Sequence, residues 1–292
     1  MQHPNVPRSK RNRTPEQEAL MLMVRQFHGY QIAREALESR YASMRKWEII
    51  TEEKYEEAKA TAGKEARKLE KQSLKALLKH FPITSFPIWT EWLKNVRGAG
   101  ETITIQLAAY IQPITDFPTV SSLWAFAGFA VNADGQAMRR KKGETYNHNP
   151  RLKSLSYLAA DCLVKAARHK SAIYPPYYRL YSEYKQRQRE LHPEPVKAKA
   201  FSKRGEVWHH YTDGHIHNMA LRYLAKRFLS NWWEADYQLT TGEVPGKPYV
   251  HEIMGHTHIQ GPWEMVGDGT FKLPEEKKEP KKRAKRKKGE VA

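Results

Sequence analysis

The chain is organised around the stretch GFAVNADGQAMRRKKGETYNHNPRLK, which spans residues 128–153. Six basic residues and a single acid, Glu144, lie between Arg139 and Lys153. This basic run leads through a polar turn directly into an apolar helix, and the free N–H groups and dipole of a helix N-terminus favour an anion. The stretch therefore predicts a phosphate-binding loop, with a solvated basic loop as the plainer alternative.

The positive charge is not confined to the two ends of the chain. The formal net charge of +18 is the difference between 50 basic and 32 acidic residues. Residues 272–292 carry ten Lys and Arg against four Glu, and residues 1–13 carry four basic residues, so +8 remains on the body. A basic body with 15 Tyr and 8 Trp suits a polyanion, most commonly nucleic acid. An acidic membrane surface is the competing partner, but no apolar run approaches the roughly 18 residues of a spanning helix.

The sequence offers no clear cofactor or catalytic centre. A single cysteine, Cys162, excludes an intramolecular disulfide framework and a multi-cysteine zinc site. The His-x-His pairs at 215/217 and 256/258 lack the i, i+4 spacing that places two ligands on one helix face, so no metal is predicted. The polar, basic start has no secretory segment, which predicts a cytoplasmic protein without a membrane partner.

The N-terminal part reads as a helical hairpin. Thr14-Pro15-Glu16-Gln17 is a strong helix start, with an N-cap threonine and a proline at the first helical position. An apolar seam follows at near-heptad spacing, and a second helix after Thr51 has a seam of small residues. These patterns predict a disordered basic arm over 1–13 and an antiparallel coiled-coil hairpin over 14–81. The small second seam suggests packing against a partner, plausibly a second copy in a homodimer. The seams comprise Met23, Phe27, Tyr30, Leu37, Tyr41 and Met44, then Tyr55, Ala58, Ala62, Ala66, Leu69, Ser73 and Ala76.

Residues 82–265 read as a compact helical domain, followed by a basic disordered tail over 266–292. Strand-type alternation is nearly absent, so the predicted class is all-α. Arg97-Gly98-Ala99-Gly100 opens the apolar run 103–111 and is similar to the turn of a helix-hairpin-helix element, which offers backbone amides to a phosphate. The alternative is a tight turn between two packed helices.

Taken together, the motifs resemble those of a known group of proteins. The chain resembles the C-terminal transposase domain of bridge-RNA-guided insertion-sequence transposases and the Nop domain of box C/D ribonucleoproteins. Both likenesses combine in the Tas proteins of tandem interspaced guide RNA (TIGR) systems. The motifs are RGAG at 97–100, FPT at 117–119, FAGF at 126–129, NPRLK at 149–153, AA at 159–160, AAR at 166–168, YYRLY at 177–181 and HNMALRYLAK at 217–226.

Two departures from these families bear on function. The transposase domain carries a nucleophilic serine before a glycine, and here that place holds Asp134 before Gly135. Neither a RuvC nor an HNH nuclease domain is appended. The resemblance therefore implies a nuclease-less, TasA-like protein that binds a guide RNA and targets DNA. In such a protein, base pairing supplies the sequence specificity while the protein reads backbone and shape.

The resemblance and the charge pattern together assign the candidate contacts. Expected RNA contacts are Arg139, Arg140, Lys141, Lys142, Asn147, His148, Arg151, Lys153, Arg168, Lys170, Arg187 and Arg189. Expected DNA or phosphate contacts are Arg97, Gly98, Gly100, Lys203, Arg204, Arg222 and Lys226. No catalytic residue is assigned. The alternatives are a recombinase with Ser154 or Ser156 as nucleophile, a metal-dependent nuclease, and a ribonucleoprotein scaffold without a DNA target.

Overall fold

A computed structural model describes residues 11–131, 148–167, 175–192, 212–245 and 260–266. Over those residues the chain forms eight α-helices and no strand, which confirms the all-α prediction. None of these helices is long and apolar enough to cross a membrane. The helices are α1 (Pro15–Lys46), α2 (Glu52–Ala58), α3 (Lys64–His80), α4 (Glu101–Ile111), α5 (Val120–Phe126), α6 (Pro150–Ala166), α7 (Pro176–Leu191) and α8 (Asp213–Thr241).

The first three helices form a hairpin. Helix α1 begins at the predicted cap, where the Thr14 side chain accepts a hydrogen bond from the Gln17 amide. A π-helical turn at Lys59–Gly63 joins α2 to α3. Ion pairs connect Arg34 to Glu70 and Arg45 to Glu52, so residue numbers rise along α1 as they fall along its partner. The two arms are therefore antiparallel, whereas regular coiled-coil packing between them stays a prediction.

The face of α3 that meets α1 agrees with the predicted seam only in part. Ala66 and Ser73 are half-buried as seam residues, whereas Leu69 and Ala76, also predicted on the seam, are exposed. Leu77 is fully buried instead. Three- and four-residue spacings both fit a helix, so the sequence pattern does not decide between neighbouring positions.

The predicted disordered arm over 1–13 differs from the structure at its end. Arg11 is buried, with its Nε 3.0 Å from the Asp116 carboxylate. Its guanidinium also donates to the carbonyls of Tyr110 and Ile111, and to that of Pro113 at 3.1 Å. Burial lowers the pKa of Arg11 to about 10. Residues 11–13 therefore belong to the folded body, and residues 1–10 lie outside the described range.

Helix α8 lies at the centre of the body and contacts α5, α6 and α7. Its Phe228 ring is stacked on Trp92 with the centroids 5.9 Å apart, and both side chains are buried. The Trp92 indole donates to the carbonyl of Pro262 at 2.8 Å, which ties the segment 260–266 to this core. Such large aromatic side chains dominate core stability, and their polar edges need partners when buried.

Candidate nucleic-acid interface

Many of the predicted contact residues lie outside the described part of the chain. This holds for the basic run itself and for the position that replaces the transposase serine. The described structure resumes at His148, six positions after Lys142. The residues outside the described ranges are Asp134, Arg139, Arg140, Lys141, Lys142, Asn147, Arg168, Lys170, Lys203 and Arg204.

Helix α6 begins at Pro150, so a helix follows the polar stretch after the basic run as predicted, but its first amides are occupied. The Asn149 side chain accepts hydrogen bonds from the amides of Arg151 and Leu152, at 3.0 and 3.1 Å. Pro150 has no N–H to offer, and this residue is favoured at the first position of a helix. The Asn149 amide itself donates to the Phe126 carbonyl at 2.7 Å, so all four N–H groups that a helix start leaves free are absent or bonded. Side chains, rather than these amides, are the groups that remain for an anion.

His148 packs against the end of α5. Gly128 has a φ of +76°, and a Cβ placed on it would lie 2.5 Å from His148 Cδ2. The absence of a side chain at Gly128 therefore lets the histidine ring lie flat on the backbone. This close packing gives His148 a role in the fold, beside the RNA contact predicted for it.

Arg151 is held by a chain of buried polar groups. Its Nε donates to His28 Nδ1 at 3.1 Å, and His28 Nε2 lies 2.7 Å from Gln106 Oε1. Because His28 Nδ1 accepts a hydrogen bond, we place the imidazole proton on Nε2, where it donates to Gln106. Burial lowers the pKa of His28, and the nearby Arg151 charge lowers it further, so the ring stays neutral. The other end of the guanidinium differs, because Arg151 Nη2 is buried without any hydrogen-bond partner.

A groove of about 490 Å³ opens where the hairpin meets the body, and we call it the junction groove. It combines an apolar wall with polar and charged side chains from four helices. Three cations and one carboxylate line it, so the lining is net positive. It is lined by Phe27 and Gln31 of α1, Arg67, Glu70, Lys71 and Leu74 of α3, Thr102 and Gln106 of α4, and Arg151, Ser154, Leu155 and Leu158 of α6.

Ion pairs within the described ranges leave two groove cations, Lys71 and Arg151, without a counter-charge. Glu70 accepts a hydrogen bond from Arg34, so its negative charge is compensated from outside the groove. Arg67 pairs with Glu38 at 2.8 Å. Lys71 is exposed and has no ion-pair partner in the part of the chain that the structure describes. An anion that enters the groove would therefore meet Lys71 without displacing a carboxylate.

Two predicted DNA contacts, Arg222 and Lys226, have partners within the fold. Arg222 Nη2 donates to the carbonyls of Phe129 and Ala130, at 3.0 and 3.4 Å. The Lys226 ammonium lies 4.3 Å from the centre of the Trp124 ring, and burial lowers its pKa. These contacts fix the segment that follows α5. The prediction missed them because sequence spacing identifies a shared face of α8 but not what covers that face.

The predicted RNA contacts Lys153 of α6 and Arg187 and Arg189 of α7 are partly or fully exposed. Lys153 is half-buried, and burial with the nearby Arg222 charge lowers its pKa. Arg187 is exposed, whereas Arg189 lies 3.5 Å from the Asp213 carboxylate. Beside them Tyr184 is stacked on Tyr223, with the ring centroids 4.4 Å apart. Stacked aromatics among cations are typical of surfaces that bind single-stranded nucleic acid.

The Gly-x-Gly turn is explained largely by packing. Gly98 has a φ of +101°, and a Cβ on it would lie 2.9 Å from both the Cys162 carbonyl oxygen and Leu163 Cα. This favours the tight turn between packed helices over a phosphate site at Gly98. Gly100 caps α4 in open space, and Arg97 is half-buried with a partner of its own.

The two serines considered as nucleophiles both bond to their own helix. Ser154 Oγ donates to the Pro150 carbonyl at 3.1 Å, and Ser156 Oγ donates to the Leu152 carbonyl at 2.7 Å. Over the described ranges, no group of three or more His, Cys, Asp and Glu residues could hold a metal ion.

No sequence motif points to most of the residues that line the junction groove. Arg67 and Lys71 of the second hairpin arm belong to no predicted site, and neither do His28 and Gln106. Only the crossing of α1 and α3 over α4 and α6 brings these side chains together. Comparisons with known proteins add no name to the site, because no protein-family model and no curated protein matches the chain.

Proposed function

We propose that the protein binds a guide RNA and forms a ribonucleoprotein that targets DNA by base pairing, without a nuclease of its own. The likeness to nuclease-less Tas proteins supports this proposal, as does the net charge of +18. The observation that carries it is the net-positive junction groove at the first half of α6, the helix that follows the basic run at 139–142 after a polar turn in the sequence.

The chemistry of the interface favours backbone reading over base reading. Lys and Arg bind phosphates whatever the base, and bidentate amide contacts to base edges need Asn or Gln in register. Most of the contact residues predicted here are Lys and Arg, and only one of them, Asn147, is an Asn or Gln. In RNA-guided proteins the guide supplies the sequence specificity, and the protein holds the duplex through its shape and charge.

A homodimer is part of the same proposal. Leu22 and Ile32 of α1 are 57% and 54% exposed, and Leu69 of α3 is 47% exposed. A second copy that packs on the hairpin would remove these apolar side chains from water. Sedimentation equilibrium of the purified full chain tests this, with a dimer mass expected and a monomer at micromolar concentration contradicting it.

The direct test of the function is to sequence the RNA that co-purifies with the full chain. Short repeated RNAs whose spacers match foreign DNA are the expected result, and random host RNA alone would contradict the guide proposal. The purified complex is then incubated with matching DNA and Mg²⁺. Binding without strand cleavage or a covalent adduct is expected, whereas cleavage or an adduct would favour the nuclease or recombinase alternative.

A further inference from the structure

We propose that the junction groove holds one unpaired nucleotide of the bound RNA, with its base against the apolar wall and a phosphate at Lys71 and Arg151. This inference rests on the proposed function and names the part of the ligand that the groove receives. The size of the groove, the residues of its wall and the partners of its cations support it.

The size of the groove fits a nucleotide. At about 490 Å³ it falls in the range of roughly 300–1,000 Å³ that small-molecule sites occupy. A double helix is far too wide for such a space, whereas a single base with its sugar and phosphate is not. Proteins that take up one nucleotide in this way need the base to be unpaired or unstacked.

The wall offers an apolar surface to the flat face of a base. Phe27, Leu74, Leu155 and Leu158 line it from three helices. Leu158 is 46% exposed although it belongs to the groove, so a bound base would remove its apolar surface from water. Contact between a base and such side chains tolerates any base, because every base has a π face.

Two polar side chains remain for the edge of the base. The Gln106 amide is already occupied, since its Oε1 bonds to His28 and its Nε2 donates to the Thr102 carbonyl at 2.8 Å. Gln31 has no hydrogen-bond partner within the described ranges, and its amide carries both donors and an acceptor. The Thr102 hydroxyl also lines the groove.

The cations provide for the phosphate. Arg151 lines the groove and is fixed through its Nε by His28. Its Nη2 is buried, so Arg151 contributes its positive charge to the phosphate site and not a hydrogen bond from that nitrogen. Lys71 adds an ammonium on the facing helix α3, and it has no ion-pair partner within the described ranges.

The experiment compares Lys71→Glu with Lys75→Glu in the full chain. Lys75 is one turn further along α3, equally exposed, and not part of the groove lining. The probe is a single-stranded oligouridine that contains 4-thiouridine. Binding is measured by fluorescence anisotropy across a salt series, and ultraviolet crosslinks are mapped by mass spectrometry. Circular dichroism of both variants confirms that each is folded.

We expect Lys71→Glu to weaken binding about tenfold and to lower the magnitude of the salt slope by about 1, with less than a twofold effect for Lys75→Glu. Wild-type crosslinks should include Phe27 or its groove neighbours. RNA binding with equal affinities for the two variants and crosslinks only elsewhere would overturn the groove site while leaving the proposed function in place. Absence of any RNA binding by the wild-type chain would contradict both.

Discussion

Basic side chains have different partners in the body and at the junction groove. In the body, Arg11 and Arg222 are bonded to backbone carbonyls, and Arg227 is buried with its Nη2 3.2 Å from the Gln260 carbonyl. At the groove, Arg67 pairs with an acid on the adjacent hairpin arm and Lys71 has no counter-charge in the described structure. A basic composition therefore does not by itself locate a ligand, because some of the cations are buried and bonded within the fold.

The physical reason lies in the ends of helices. The last carbonyls of a helix have no partner within it, and a buried guanidinium supplies several donors in a fixed fork. Arg11 bonds the carbonyls of Tyr110 and Ile111 at the end of α4. Arg222 bonds those of Phe129 and Ala130 shortly after the end of α5. Each arginine thereby replaces water where the fold excludes it.

The largest expected effect is the loss of Arg11. Arg11→Ala removes the buried partner of Asp116 and the donor to the carbonyls of Tyr110 and Ile111, so we expect a loss of about 3–5 kcal/mol in the free energy of unfolding. Urea denaturation measures it. The exposed Arg25→Ala serves as the control and should change stability by less than about 0.5 kcal/mol. Equal effects for the two variants would remove the distinction between buried and exposed cations.

Gly98→Ala should have the next largest effect on stability. Alanine at a φ of +101° is strained, and its Cβ would lie 2.9 Å from backbone atoms of α6, so a loss of about 2–3 kcal/mol is expected. Gly100→Ala is the matched control, since no atom lies within 4 Å of its Cβ position. A similar melting temperature for both variants would contradict the packing role of Gly98.

The pH dependence of stability tests whether the Asp236 carboxyl is buried in the body. Burial raises the pKa of this carboxyl to about 7, although Trp232 donates to it at 3.2 Å. The folded state therefore holds its proton more tightly than the unfolded state, and the stability from this group is lost as pH rises through about 7. Between about pH 5.5 and pH 8.5 the wild type should lose roughly 2 kcal/mol more than Asp236→Asn. Parallel pH profiles for the two proteins would show that the carboxyl is already ionised.

The smallest effect is expected on the hairpin. Arg34→Ala removes ion pairs to Glu38 and Glu70 that are only partly shielded from water, so a loss of about 1 kcal/mol or less is expected. Repeating the denaturation in high salt should shrink that loss, because exposed pairs are screened. A salt-independent loss as large as that for Arg11→Ala would mean that the hairpin is held as tightly as the body.

Sequence patterns predict the local structure here better than they predict the site. The Thr14 cap, the helical class and the start of α6 follow from residues that are close in sequence, and the structure confirms them. The π-helical turn at Lys59–Gly63 and the burial of Arg11 depend on packing between distant segments. For the same reason the cations of the junction groove could not be separated from those that stabilise the body.

The most direct test compares the RNA affinity of a variant that lacks groove cations with that of a variant that lacks a cation of the body. The double variant Arg67→Gln/Lys71→Gln removes two groove cations, while Lys226→Gln removes one that is packed on Trp124. Fluorescence anisotropy with the co-purified RNA should show at least about tenfold weaker binding for the double variant and less than a twofold change for Lys226→Gln. Unchanged binding by the double variant together with a large loss for Lys226→Gln would contradict the assignment of the groove to RNA.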